Sequence, residues 1–318
     1  MNLVINSRCV CGDGLPWIND HIIMMLPCCH LIHQKCYKNR SLCFICKNKV
    51  VTTINKNAYK NNKKYYQHCI DIISMTNHDK LMNYNYTDSI LNLPPLITLI
   101  SKIPFAKGVA EGKQICKEIF DFTNITIKIV GHSNINRGDG PKVFIANHSS
   151  YLDFMAIFFV LGFGFLSSSF ILENPLTKTL IDVVPCLIIN RQEKNQNTVE
   201  KMKEYCKEHL GLCLFPEGMI SHPGTLVRFR TGAFHIGYPV VPVVITYSHN
   251  IHDTNIQNFI LKLLSGNKIT ITIKILEPVM QPFDDAKIEG VRRNMADAGN
   301  MILSRVANKD LADKKIPG

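Results

Sequence analysis

The chain has 318 residues, of which 46% are hydrophobic and 19% charged. That is enough for one sizeable domain and a small one, and too apolar for a mainly disordered chain. Its net charge of +11 is uneven: residues 1–80 hold 11 Lys and Arg against 4 acidic residues, the remainder 25 against 21. A basic N-terminal region suits anionic lipid, nucleic acid or an acidic partner, although Lys, Asn and Ile are plentiful throughout and a solvated Lys-rich face is the plainer reading. Met1 to Val10 lacks a basic start followed by an apolar run, so no secretory signal is expected.

Residues 1–50 are rich in Cys and His. Seven of the 12 cysteines fall before residue 47, a spacing that suits metal in a reducing compartment better than a disulfide framework. In order, the candidate ligands are Cys9, Cys11, Cys28, His30, His33, Cys36, Cys43 and Cys46. They form four close pairs, and a tight turn can offer two ligands at once to a tetrahedral zinc ion. Eight ligands imply two ions, which would supply folding free energy to a core too small to fold alone.

Residues 51–88 read as a basic linker with one short helix near Gln67–Met75. Ser89–Phe105 is mostly apolar but short and interrupted by Pro94 and Pro95, so it is expected to lie in a membrane interface rather than cross a bilayer. From there the chain alternates apolar runs with helical patterns, the signature of an α/β domain over 89–318 with its core at 120–250. Strands are expected at Ile125–Val130, Lys142–Ala146, Phe165–Leu172, Cys186–Asn190, Gly211–Phe215, Val240–Thr246 and Ile269–Leu276. Helices are expected at Leu152–Leu161, Gln196–His209 and Asp284–Ala307. Strands this apolar fit a mixed, mostly parallel central sheet flanked by helices. The most apolar stretch, Phe154–Leu172, contains Gly162, Gly164 and three serines, and reads as a buried helix entering a buried strand.

The chemistry-bearing motif is Asn147-His148-Ser149-Ser150-Tyr151-Leu152-Asp153, directly after the apolar run Val143–Ala146. An Asp five residues beyond a strand-end His comes within reach of one ring nitrogen after about one helical turn. It would fix the imidazole tautomer while the other nitrogen takes a proton from an alcohol. Taken alone, such an Asp is as readily a helix cap. Further on come Pro185-Cys186-Leu187-Ile188-Ile189-Asn190-Arg191, Leu214-Phe215-Pro216-Glu217-Gly218, Phe229-Arg230-Thr231-Gly232-Ala233-Phe234 and Val240-Val241-Pro242-Val243.

In this order these blocks resemble the glycerophospholipid (1-acylglycerol-3-phosphate or lysophospholipid) acyltransferase family, with its NHxxxxD, GxxFIxR, FPEGT and V-P-V blocks. The likeness covers residues 120–250 well and 89–318 loosely. It implies transfer of a fatty acyl group from acyl-CoA to the hydroxyl of a glycerol-based lysolipid, with His148 as general base and Asp153 its orienting partner, and no catalytic metal. It implies that Arg191 binds the acceptor's phosphate or head group. Glu217 and Gly218 would shape the acceptor site, with Glu217 bonding glycerol hydroxyls or holding Arg191, and Pro242 would serve acyl-donor binding or the positioning of the site. It also implies attachment to the cytosolic face of a membrane as a peripheral or monotopic protein. The chain departs from the pattern at Pro185 and Ile188, and at Met219, where Thr is usual.

Residues 7–48 resemble a RING zinc finger with two central histidines. The resemblance implies a cross-brace, with Cys9, Cys11, His33 and Cys36 on one zinc ion and Cys28, His30, Cys43 and Cys46 on the other. Two departures stand out: Cys9 and Cys11 are one residue apart rather than two, and Phe44 stands where Pro is common. A rival reading follows, in which the protein is an adaptor or ubiquitin ligase that recruits a ubiquitin-conjugating enzyme and keeps a degenerate acyltransferase domain for docking on lipid. Neither resemblance implies a nucleic-acid partner.

Overall fold

A computed structural model describes residues 22–26, 30–38, 52–55, 86–172, 184, 186–190, 197–248, 256–308 and 310. The first elements are β1 (Ile22–Leu26), β2 (His30–His33), α1 (Gln34–Tyr37) and β3 (Thr52–Asn55). The strands form a small antiparallel sheet in the order β2-β1-β3, in which Ile23 and Ile32 are buried cross-strand partners. Of the expected zinc ligands, His30 and His33 lie in β2 and Cys36 in α1. Cys9, Cys11, Cys28, Cys43 and Cys46 lie outside the described residues, as does the expected linker helix at Gln67–Met75.

Next come α2 (Tyr86–Ile100), α3 (Gly108–Phe122), β4 (Ile125–Val130), β5 (Lys142–Ala146), α4 (Leu152–Leu161), β6 (Gly164–Ser168), β7 (Cys186–Ile189) and α5 (Thr198–His209). They are followed by β8 (Gly211–Leu214), β9 (Thr225–Leu226), β10 (Val240–Tyr247), α6 (Ile256–Leu263), β11 (Ile269–Ile275), α7 (Asp285–Gly299) and β12 (Ile302–Leu303). The described strands form a seven-stranded sheet in the order β4-β11-β10-β5-β8-β6-β7. Every neighbour pair is parallel except β10 with β11. β5 is buried along its whole length, and its alternating side chains divide between two cores. Phe144 and Ala146 join residues of α2, α3, α4 and α6, whereas Val143 and Ile145 join residues of α5 and α7. The result is three layers, with helices covering both faces of a largely parallel sheet.

The expected strands and helices from Ile125 onward are present, with the expected bounds at Ile125–Val130, Lys142–Ala146 and Leu152–Leu161 and shifted ends elsewhere. The run read as a strand to Leu172 leaves the sheet at Ser168 and tightens into a 3₁₀ turn at Ser169–Leu172. The helix expected to reach Ala307 ends at Gly299, where Asn300 takes a left-handed φ of 57°, and the chain then forms β12 beside β9. Asn tolerates that conformation, so it can stop a helix as Gly does. Pro94 and Pro95 do not break α2, which runs through both.

In an open parallel sheet, ligands gather at the carboxyl ends of the strands. Three loops and one strand end carry candidate residues to that edge. His148 follows β5, Asn190 follows β7, Pro216 to Gly218 follow β8, and Tyr247 closes β10.

Candidate active site

His148 is anchored from several sides before any substrate is considered. The preceding Asn147 is buried and ties β5 to β10, donating from its amide to the Ile245 carbonyl at 3.0 Å and accepting from the Ile245 N–H at 2.7 Å. The His148 carbonyl accepts from the Ser221 N–H at 2.8 Å. Its ring stacks on Phe215, with centroids 4.1 Å apart.

Asp153 has no exposed surface and lies in the first turn of α4. Its Oδ2 is 3.0 Å from His148 Nδ1 and accepts from the Ser149 and Ser150 N–H groups at 2.6 and 2.8 Å. Oδ1 accepts from the Tyr247 hydroxyl. Asp153 therefore caps the turn and orients the imidazole at once. An acceptor-only carboxylate facing Nδ1 places the ring proton there and leaves the lone pair on Nε2. Nε2 has no hydrogen-bond partner among the described residues, and His148 lines the neighbouring cavity.

That cavity has a volume of about 600 Å³. Phe154, Phe165 and Leu166 form part of a mainly apolar wall, and Ser167, Ser168, Asn190, Met219 and Arg230 add polar or flexible groups. A mainly apolar space beside one His is suited to an alkyl chain whose reacting end stops at the imidazole.

Glu217 occupies a different position from the one expected of it. It is only 1% exposed and is not among the cavity-lining residues. Its Oε1 accepts from the His148 N–H at 2.7 Å, and Oε2 from the Ser221 hydroxyl at 2.6 Å and the Val227 N–H at 3.2 Å. In the structure it braces the His148 backbone. Burial pushes its carboxyl up to about 7, against the pull of those three donors and of the nearby imidazole.

Gly218 lines the cavity with a φ of +78°, a left-handed turn closed by its N–H on the Phe215 carbonyl at 2.9 Å. Pro242 is buried in β10 opposite Ile145 and is not on the cavity wall. Its missing N–H is tolerated because the β11 side bulges there: Val243 pairs with Ile275, but Val240 pairs with Val279. Arg191 lies outside the described residues; Asn190, which precedes it in sequence, lines the cavity.

Two contributors escape sequence reading. Tyr247 is 7% exposed, and burial together with the Asp153 carboxylate keeps its phenol protonated far above the ordinary range. Arg292 is buried in α7 and donates to the Leu226, Val227 and Ser304 carbonyls while pairing with Glu289, which steadies the segment that holds Glu217. Nothing local marks either one. A Tyr ending a strand and an Arg on a helix are common features.

Residues 126–246 match the family described as Acyltransferase. Among characterised proteins, the chain is 28% identical over 213 residues to Lysophospholipid acyltransferase LPEAT1 of Arabidopsis thaliana, a match covering 61% of this chain and 53% of that protein. It is 31% identical over 164 residues to Lysophospholipid acyltransferase LPEAT2 of the same plant, covering 49% and 30%. It is 26% identical over 184 residues to the chloroplastic 1-acyl-sn-glycerol-3-phosphate acyltransferase BAT2 of Brassica napus, covering 55% and 51%. The chain thus spans about half the length of these relatives, or less. The match to the Acyltransferase family takes in His148, Asp153, Glu217, Gly218 and Pro242, and ends one residue before Tyr247.

Proposed function

We propose that this protein transfers a fatty acyl group from acyl-CoA to the hydroxyl of a glycerol-based lysolipid, either lysophosphatidic acid or a lysophospholipid. The observation that carries this reading is the buried Asp153 carboxylate on His148 Nδ1, which presents a free Nε2 to an apolar cavity. Nε2 accepts the acceptor's hydroxyl proton as its oxygen attacks the thioester carbonyl. The tetrahedral intermediate collapses with cleavage of the C–S bond, and the imidazolium returns the proton to the leaving thiolate. No covalent acyl-enzyme is needed, because the thioester is already activated. The relatives' names support a lysolipid acceptor, and an assembled His–Asp pair speaks against a degenerate domain.

The test is purified protein with labelled acyl-CoA and a panel of lysolipids. His148→Ala should lower turnover by ~10²–10⁴, the usual worth of general acid–base catalysis, with the fold intact by circular dichroism. Wild-type turnover in that variant would refute the mechanism.

The same reading places the protein at a membrane surface. No helix among the described residues is long and apolar enough to cross a membrane. The 89–105 segment exposes Ile97 and Phe105, at 57% and 80%. Interfacial contact through these side chains predicts weaker vesicle binding by an Ile97→Asp, Phe105→Asp variant, and unchanged binding would move the contact elsewhere. Two structural zinc ions in the N-terminal module are also proposed, on the Cys and His pattern. In support, the backbone sets His33 at the end of β2 and Cys36 in the helix that follows.

A further inference from the structure

Arg230 is exposed at the cavity that His148 lines, and its role is unassigned by the motif reading. Among the described residues it is the only Lys or Arg lining that cavity, and no described Asp or Glu lines it. Its guanidinium also has no carboxylate partner among the described residues, since its one side-chain bond is to the neutral Asn308 Oδ1. A guanidinium without a described carboxylate partner, on a mainly apolar wall, makes the cavity mouth attractive to anions.

The position is built rather than incidental. The Arg230 N–H donates to the Pro216 carbonyl at 2.8 Å, which fastens this segment to the turn after β8. Its side chain crosses Gly218 so closely that a Cβ there would lie 2.8 Å from Nε. Gly218 in turn follows Glu217, whose carboxylate holds the His148 N–H. The His148 and Arg230 backbones are thereby both tied to the turn after β8, through Glu217 and Pro216. Asn308 holds one terminal nitrogen, so the fork is steadied without being neutralised.

We propose that Arg230 is a specificity-determining residue that binds the anionic phosphate of the lysolipid acceptor while its hydroxyl reaches His148 Nε2. This rests on the acyl-transfer reading and deepens it. Phosphate could also arrive on the acyl donor, and the kinetics separate the two sources. At saturating acyl-CoA, Arg230→Gln should raise the KM for lysophosphatidic acid tenfold or more. It should leave the KM for acyl-CoA and the rate with neutral monoacylglycerol within twofold, and Arg230→Lys should recover part of the loss. A rise in the acyl-CoA KM instead, or an equal loss with every acceptor, would overturn the proposal. Should the wild type acylate no acceptor at all, the acyl-transfer reading fails separately, and calorimetric titration with glycerol 3-phosphate then decides on Arg230. Binding by the wild type that Arg230→Gln weakens tenfold supports the anion site; equal binding, or none, removes it.

Discussion

Replacing Tyr247 with Phe deletes one oxygen from the most constrained part of the site. Asp153 receives four donors: His148 Nδ1, the Ser149 and Ser150 N–H groups, and the Tyr247 hydroxyl. Among the described residues only the hydroxyl serves Oδ1, in a place with no exposure to water. A hydrogen bond to a charged group contributes about 1.5–3 kcal/mol, and no solvent can replace this one. A stability loss of about 2 kcal/mol is expected, which for a domain of this size lowers Tm by about 4–8 °C. The carboxylate also loses the contact that fixes its plane, so the imidazole is held less firmly. If about 1.4 kcal/mol of that is felt in the transition state, kcat falls about tenfold with KM unchanged. The assay is steady-state acyl transfer by Tyr247→Phe, Asp153→Asn and the double variant. Because Tyr247 acts through Asp153, its effect should shrink below about twofold in the Asp153→Asn background. Full activity in Tyr247→Phe, or additive losses in the double variant, would refute the coupling.

Glu217 supplies a pH test. Its folded carboxyl is raised to about 7, so between the ordinary value near 4.5 and pH 7 the folded state binds the extra proton. Stability should therefore fall as pH rises through that window, by about 3 kcal/mol at most, and Glu217→Gln should flatten the profile in chemical denaturation; an unchanged slope would exclude Glu217 as its source. Gly218→Ala should lower both Tm and activity, since it forces φ +78° on an L residue and crowds Arg230; unaltered values for both would show that the turn relaxes freely. Elemental analysis of protein purified without chelator should find two zinc ions per chain, and finding none would remove the metal module.

What the sequence determined by itself is local. His148 and Asp153 are five residues apart, so a strand end and one helical turn suffice to bring them together. The strands of the sheet were legible because each is a short apolar run between turns. The same locality explains the errors at the ends, where Asn300 stops α7 and Ser168 ends β6 through backbone conformation rather than side-chain pattern. What only the tertiary structure decided is everything that needs strand order. Tyr247 reaches Asp153 across 94 positions because β10 lies beside β5, and Asn147 meets Ile245 across 98 for the same reason. The inward turn of Glu217 follows from β8 flanking β5 on the other side, which places its carboxylate under the His148 N–H rather than in the cavity. Hydrophobic alternation sets which residues face a core, but it carries no information about which strands become neighbours. The polar contacts that complete the site lie between neighbours.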